Sequence, residues 1–279
     1  MVTHQSGHRL RSRLGSLLQY VLVIAIVLVF SFPILWMLLM SFKTQVQNLA
    51  FPPLIVFTPT LENYQNAFVQ NPFLKFSINS FVVAAGSTLL GLFAGAPMAY
   101  AVAHFKRQDM AFFILLARIL PGISYLVPWF IIFNTLQLIG SYWALILTHL
   151  TVGLPIITWM LIGAFEDVPS ELEDAALIDG CGVFATFRRI ALPLTTPVMI
   201  SASIIAFIFS WNNFLFSLII AGPDTQPLPV AIFQFLSYMN INWGGLAAAA
   251  TLVTTPTMII TLVAQRYIVS GFSLGAVKG

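Results

Sequence analysis

Six of the nine acidic residues of this chain fall in one short stretch: Glu166, Asp167, Glu171, Glu173, Asp174 and Asp179. The stretch, residues 166–194, reads EDVPSELEDAALIDGCGVFATFRRIALPL and lies between apolar runs. Only 8% of the chain is charged, so acid this concentrated suits a docking surface better than a passive linker. The chemistry on offer is recognition. Pro169 and Ser170 open a helix, and Ser170 with Glu173 has capping-box spacing. Glu171, Glu173 and Asp174 fall in the first turn, where carboxylates suit the positive end of the helix dipole. Leu172, Ala175 and Ala176 stand at i, i+3 and i+4, giving an apolar face of mostly small side chains that another surface can approach closely. Gly180 permits a turn that a Cβ would resist. A second short helical stretch, with Phe184 and Phe187 three apart, ends in Arg188-Arg189, and Pro193 closes the segment. By its residues alone the stretch is either a docking helix or an amphipathic segment lying on a membrane surface.

Trp211-Asn212-Asn213 is a second candidate, for a translocation pathway. Adjacent amides midway along an apolar span are costly unless partners or a wet path satisfy them. Asn can exchange hydrogen bonds with hydroxyls, and an indole can stack on a sugar face; the alternative is hydrogen bonding between helices. His149 reads as a hydrogen-bonded helix contact, and Arg118, near the inner end of its span, as a snorkelling side chain. Other chemistries are missing. There is no G-x-x-x-x-G-K-[ST], so ATP chemistry would have to reside on another subunit. No Asp or Glu lies deep in a span, which counts against a proton- or sodium-coupled carrier. No nucleophile–base pair suggests a membrane enzyme. The four histidines share no ligand spacing, so no metal is expected, and the lone Cys181 excludes an internal disulfide.

The elements that must position these residues are membrane helices. With 59% hydrophobic residues and a mean hydropathy of +0.93, the chain is an integral membrane protein. Its net charge of +3 sits at the ends of spans and argues for membrane orientation, not nucleic-acid binding. Leu14–Phe42 holds no charge over 29 residues, too long for a signal core, and reads as a retained anchor. Six spans are expected, at about 16–41, 78–103, 111–134, 143–164, 196–221 and 246–268, with a tight turn near Gln137–Gly140 and a structured loop over Lys43–Ser77. Arg9, Arg11, Arg13, Lys106, Arg107, Arg188, Arg189, Arg266 and Lys278 then fall inside, against Lys43 and Lys75 outside. That asymmetry places both termini and the acidic loop in the cytoplasm. The expected class is all-α, residues 1–279 forming a single membrane domain.

The spacing Asp174-Ala175-Ala176, three residues, Gly180, nine residues, then Ile190-Ala191-Leu192-Pro193 resembles the EAA loop of ATP-binding-cassette (ABC) importer permeases. Asp174 departs from the Glu usual there; it keeps the charge and shortens the reach by one methylene, with Glu173 beside it. Ser41-Phe42-Lys43-Thr44, Thr60-Leu61-Glu62-Asn63-Tyr64, Asn79-Ser80, Trp211-Asn212-Asn213-Phe214 and the tail Gly275–Gly279 resemble landmarks of the carbohydrate-uptake branch, in its shorter six-span form. The resemblance implies a type I importer fold with a coupling helix between spans four and five. Glu173, Asp174, Ala175, Ala176, Gly180, Ile190, Leu192 and Pro193 would couple to an ATPase, and Lys278 would carry a second tail contact. It implies a bacterial inner-membrane, multi-pass location and a second homologous permease, two ATPase subunits and an extracytoplasmic solute-binding protein as partners. This chain would bind no cofactor, ATP and Mg belonging to the ATPase subunits. The solute would be a sugar, polyol, sugar derivative or glycerol phosphate. A secondary carrier or channel, or an importer of a non-carbohydrate solute, are the competing readings.

Overall fold

Uninterrupted apolar sequence must satisfy its own backbone in a bilayer, and a helix does so within one segment. The computed structural model describes residues 5–70, 72–235 and 241–276, and the side chains of 16, 18–69, 72–233 and 241–265. The described residues are almost wholly helical. Helix α1 covers Gln5–Ser41, and the short α2, Gln45–Asn48, and α3, Glu62–Gln70, occupy the following loop. Next come α4, Phe73–His104, α5, Gln108–Ile119, α6, Gly122–Thr135, and α7, Tyr142–Glu166. The acidic stretch forms α8, Ser170–Ile178, and α9, Val183–Thr186. A π turn, Phe187–Ala191, joins α9 to α10, Leu192–Trp211. The rest comprises α11, Leu215–Ile220, α12, Leu228–Ala231, a 3₁₀ turn over Ile232–Phe235, and α13, Trp243–Ala276.

Among the described residues, five helical segments are long and apolar enough to cross a membrane: Leu18–Ser41, Phe73–His104, Tyr142–Glu166, Val183–Trp211 and Trp243–Gln265. The expected third span, 111–134, is instead two helices, α5 and α6, meeting at 88°. Pro121 is the cause. Its ring disfavours helical backbone at the residue before it, and Leu120 is extended at φ −66°, ψ 128°. The Tyr125 hydroxyl donates to the Ala117 carbonyl across the bend. The expected fifth span, 196–221, is also displaced. Its helix starts at Val183, ends at Trp211, and breaks before α11. Pro193 therefore does not start a new element; it lies within a continuous helical path. It has no N–H for the Arg189 carbonyl, and the π turn immediately before it shifts the ladder there, the Leu192 N–H bonding the Phe187 carbonyl.

The chain divides into two compact units. The first takes Met1–Val69 with Phe235–Thr251. Here the apolar window of α1 buries none of its residues within the chain; Val21, Val27 and Phe30 are all more than half exposed. The loop after α1 is tightly tied. Asn63 Nδ2 donates to the Ser41 and Lys43 carbonyls, each at 2.8 Å, and the Ser41 and Tyr64 hydroxyls meet at 2.7 Å. Thr44 and Gln47 form a complete capping box on α2. Lys43 is only 2% exposed, its ammonium 4.6 Å from the Trp36 ring centroid and 5.0 Å from that of Phe57.

The second unit takes Gln70–Gln234 with Leu252–Gly279. Its core is the seam of α4, α7 and α10, filled by Ala96, Ala99, Ile157, Leu161, Ala202 and Ala206. Small residues let these backbones close up. Gly91 and Gly95, a G-x-x-x-G pair on α4, leave no room for side chains: a Cβ there would lie 2.7 Å from Ile157 Cδ1 and 2.9 Å from Thr158 Oγ1. Asn79 and Ser80 hold the loop before α12. Asn79 Nδ2 donates to the Asp224 and Gln226 carbonyls at 3.0 and 2.9 Å, and the Ser80 hydroxyl accepts the Leu228 N–H at 2.8 Å. The predicted turn near Gly140 is present. Gly140 has φ +82°, and a Cβ on it would lie 3.3 Å from Gly222 Cα.

Candidate functional site

Helix α8 begins at Ser170, with Pro169 as its cap residue and no side-chain capping bond. The predicted Ser170–Glu173 capping box is therefore absent, because the Glu173 carboxylate goes elsewhere: its Oε2 lies 2.7 Å from Nδ1 of His104, the last residue of α4. Glu171 and Glu173 remain in the first turn, where the helix dipole favours them. The expected apolar face also divides. Ala176 is buried at 5% exposure, on the same side as the half-buried Glu173, while Glu171, Leu172, Asp174, Ala175 and Ile178 are exposed. The helix thus has an inward edge, Glu173 and Ala176, and an outward acidic and apolar edge.

Gly180 ends the helix in the way its sequence position suggested. Its φ is +84°, its N–H bonds the Leu177 carbonyl, and the Cys181 N–H reaches back to the Ala176 carbonyl at 2.9 Å. These are the two bonds of a Schellman motif, which needs a left-handed residue at this position. Nothing lies within 4 Å of a Cβ placed there, so the backbone angle alone accounts for the glycine. Beyond it, Ile190 and Leu192 are half-buried on the helical path into α10, and Pro193, Arg188 and Arg189 are exposed.

An aromatic cluster seats this segment on the bundle. Tyr100 of α4 lies 5.4 Å from Phe165 of α7 and 5.0 Å from Phe187 of the π turn, and His104 stacks on Tyr100 at 5.2 Å and 26°. Gln108 Nε2 donates to Glu166 Oε1 at 3.0 Å, joining α5 to the end of α7. Sequence reasoning singled out Phe187 but missed His104, Tyr100 and Phe165. His104 is 69 residues from Glu173, and no local spacing links them.

Trp211, Asn212 and Asn213 stand at the end of α10 rather than midway along a span. Trp211 is buried and donates through Nε1 to the Val253 carbonyl of α13 at 3.1 Å. Asn212 is exposed and bonds back to the Ile208 carbonyl, and Asn213 Oδ1 accepts the Phe216 N–H at the start of α11. Beside them runs a buried polar seam. His149 Nδ1 lies 2.7 Å from Ser210 Oγ, its Nε2 3.3 Å from Ser217 Oγ, and Ser87 donates to Ser210 at 3.0 Å. Ser217 itself donates to the Asn213 carbonyl at 2.8 Å. These contacts link Ser87, Ser210, His149, Ser217 and Asn213 in one continuous run. Arg118 is in the last turn of α5, at the bend, 5.7 Å from the Phe209 ring centroid. Lys278 lies outside the described residues. Among the described residues no group of His, Cys, Asp and Glu could hold a metal ion.

Comparison with known proteins gives this geometry its family. The sequence profile of the binding-protein-dependent transport system inner membrane component matches residues 87–273, which include α8 and the polar seam. The probable ABC transporter permease protein y4oR of Sinorhizobium fredii is 36% identical over 252 residues, covering 90% of this chain and 91% of that protein. The trehalose/maltose transport system permease protein MalG of Thermococcus litoralis is 34% identical, covering 89% and 91%. The crystal structure of a bacterial ABC transporter that imports the acidic polysaccharide alginate contains a chain of the same fold, with a TM-score of 0.77 at 18% identity over 92% of this chain and 97% of that one. The chain belongs to the inner-membrane component family of binding-protein-dependent transport systems, and is a multi-pass ABC importer permease.

Proposed function

We propose that this chain forms half of the translocation pathway of an ATP-driven importer for a carbohydrate or related solute: a sugar, polyol, sugar derivative or glycerol phosphate. The observation that carries the coupling role is the outward edge of α8, where Glu171, Asp174, Ala175 and Ile178 are exposed beside a helix end fixed by Gly180. An exposed acidic and apolar edge on a helix whose other edge is seated on the bundle is shaped to enter a cleft on a partner. That partner is an ATPase subunit. Asp174, Ala175 and the turn at Gly180 meet it, while Ile190, Leu192 and Pro193 carry the motion into α10.

In this reading the assembly contains a second, homologous permease, two ATPase subunits that bind ATP and Mg, and an extracytoplasmic solute-binding protein. The chain crosses the inner membrane six times, the bent α5–α6 pair serving as one crossing, with both termini and α8 in the cytoplasm. ATP-driven closure of the ATPase pair moves α8 and turns the pathway from inward- to outward-facing by rigid-body switching. Support for a carbohydrate solute comes from relatives named for trehalose and maltose, trehalose, sulfoquinovosyl glycerol and diacetylchitobiose. Trp211 and Asn213 serve the pathway by holding the α10–α11 break in shape, and exposed Asn212 faces it. Lys278 makes the tail contact with the ATPase.

The test is purification of the chain from its native membrane in mild detergent, with ATPase activity measured with and without loaded binding protein. A co-purifying ATPase stimulated by one loaded binding protein is the expected result. A chain that emerges alone, without crosslinking through Ala175→Cys, would remove the docking assignment.

A further inference from the structure

Chain connectivity attaches α8 directly to α7 on one side and to α9 and α10 on the other, but nothing covalent nearby attaches it to α4. The Glu173–His104 contact supplies that connection. It joins Glu173 Oε2 to His104 Nδ1 at 2.7 Å. It is shielded, with the side chains of His104 and Glu173 only 22% and 14% exposed. The ring it grips is itself fixed, stacked on Tyr100, which packs against Phe165 and Phe187. His104 also ends α4. A hydrogen bond to a carboxylate is stronger and more directional than a neutral one. Through Gly91 and Gly95, α4 is in turn pressed against α7. A force on α8 therefore has a direct route into α4.

We propose that Glu173 and His104 are a positioning pair that makes α8 and the end of α4 move as one body, so that Glu173 serves the permease interior and not the ATPase surface. The proposal rests on the docking reading above. It assigns the two neighbouring acids opposite tasks: Asp174 faces outward to the partner, and Glu173 faces inward to the bundle.

The test follows the distance between spin labels at Phe105→Cys, beside the end of α4, and Leu177→Cys on α8, in a Cys181→Ser background. Both label sites are exposed, at 62% and 42%. The complete importer is used in liposomes, with Mg-ATP as the only ligand. With the pair intact, Mg-ATP leaves the distance unchanged. In Glu173→Gln and in His104→Ala, Mg-ATP shifts it by about 2 Å or more, the scale of helix displacements in switching proteins. The double variant shifts no further than either single one, as expected for one shared interaction, and His104→Lys behaves as the intact protein. A purely structural role would broaden the distribution equally with and without Mg-ATP, and that result would overturn the proposal. So would captured ATPase with no shift in either single variant. A complex that never captures the ATPase would instead sink the docking reading, and the pair's role with it.

Discussion

The His149 imidazole and the Ser210 hydroxyl meet at 2.7 Å in a seam with no access to water, His149 being 3% exposed. They tie α7 to α10, and the bonds on either side extend the tie to Ser87 of α4 and Ser217 of α11. Removing the ring takes one partner from each of the Ser210 and Ser217 hydroxyls in an apolar core. His149→Leu is expected to cost about 1–3 kcal/mol, the range for buried groups left unpaired. His149→Gln, which can both donate and accept, should recover part of it. Thermal unfolding in detergent checks both, and equal midpoints for His149→Leu and the parent chain would refute the linkage.

Two helical glycines should respond in opposite ways to the same change. Gly95→Ala places a Cβ 2.9 Å from Thr158 Oγ1 and 3.2 Å from Ile157 Cγ2, so α4 must draw back from α7 at a cost of about 1–3 kcal/mol. Gly163→Ala meets nothing within 4 Å and gains about 1 kcal/mol of helix propensity. Unfolding midpoints that moved in the same direction for both would show that close helix approach is not what Gly95 provides.

Much of this was legible in the residues. Apolar runs located the helices because in lipid a helix is the local answer to backbone satisfaction. Gly180 could be read because a Schellman turn is local chemistry. The 88° bend at Leu120-Pro121 had a visible cause in Pro121, yet composition could not say whether the proline would kink one span or divide it. The inward turn of Glu173 was hidden. A capping box and an ion pair compete for the same carboxylate, and the winner is decided by His104, which only the tertiary fold brings near. Likewise Asn212 and Asn213 read as buried amides needing partners. They instead mark a helix end, whose exposed backbone groups supply those partners within four residues.

The Lys75–Asp224 pair makes a prediction about pH. Lys75 Nζ lies 2.6 Å from Asp224 Oδ1, and the hydrogen bond together with the charge of Lys75 holds the Asp224 carboxyl below its ordinary value of 3.8. A carboxyl whose folded pKa is depressed stabilises the fold fully above the unfolded value, and loses that contribution as pH falls through the folded one. The difference in unfolding midpoint between the parent chain and Lys75→Gln should therefore be constant near neutrality and shrink below about pH 4. It should be small, since Asp224 is 90% exposed and surface pairs are screened. A difference that grew on acidification would contradict the assignment.

On the docking reading proposed above, Gly180 separates the coupling role from folding. At φ +84° an alanine is strained by about 1–2 kcal/mol, but with empty space around it the strain is relieved by re-angling α8, not by unfolding the bundle. Gly180→Ala should therefore insert normally and keep the unfolding midpoint of the membrane core, yet release its ATPase partner more readily in co-purification. Gly180→Asn should fall between the two, because asparagine tolerates the left-handed region. The order Gly, Asn, Ala in partner retention follows from backbone preference alone. An order set by side-chain size would instead mean that Gly180 touches the partner directly, with contact rather than helix angle limiting coupling.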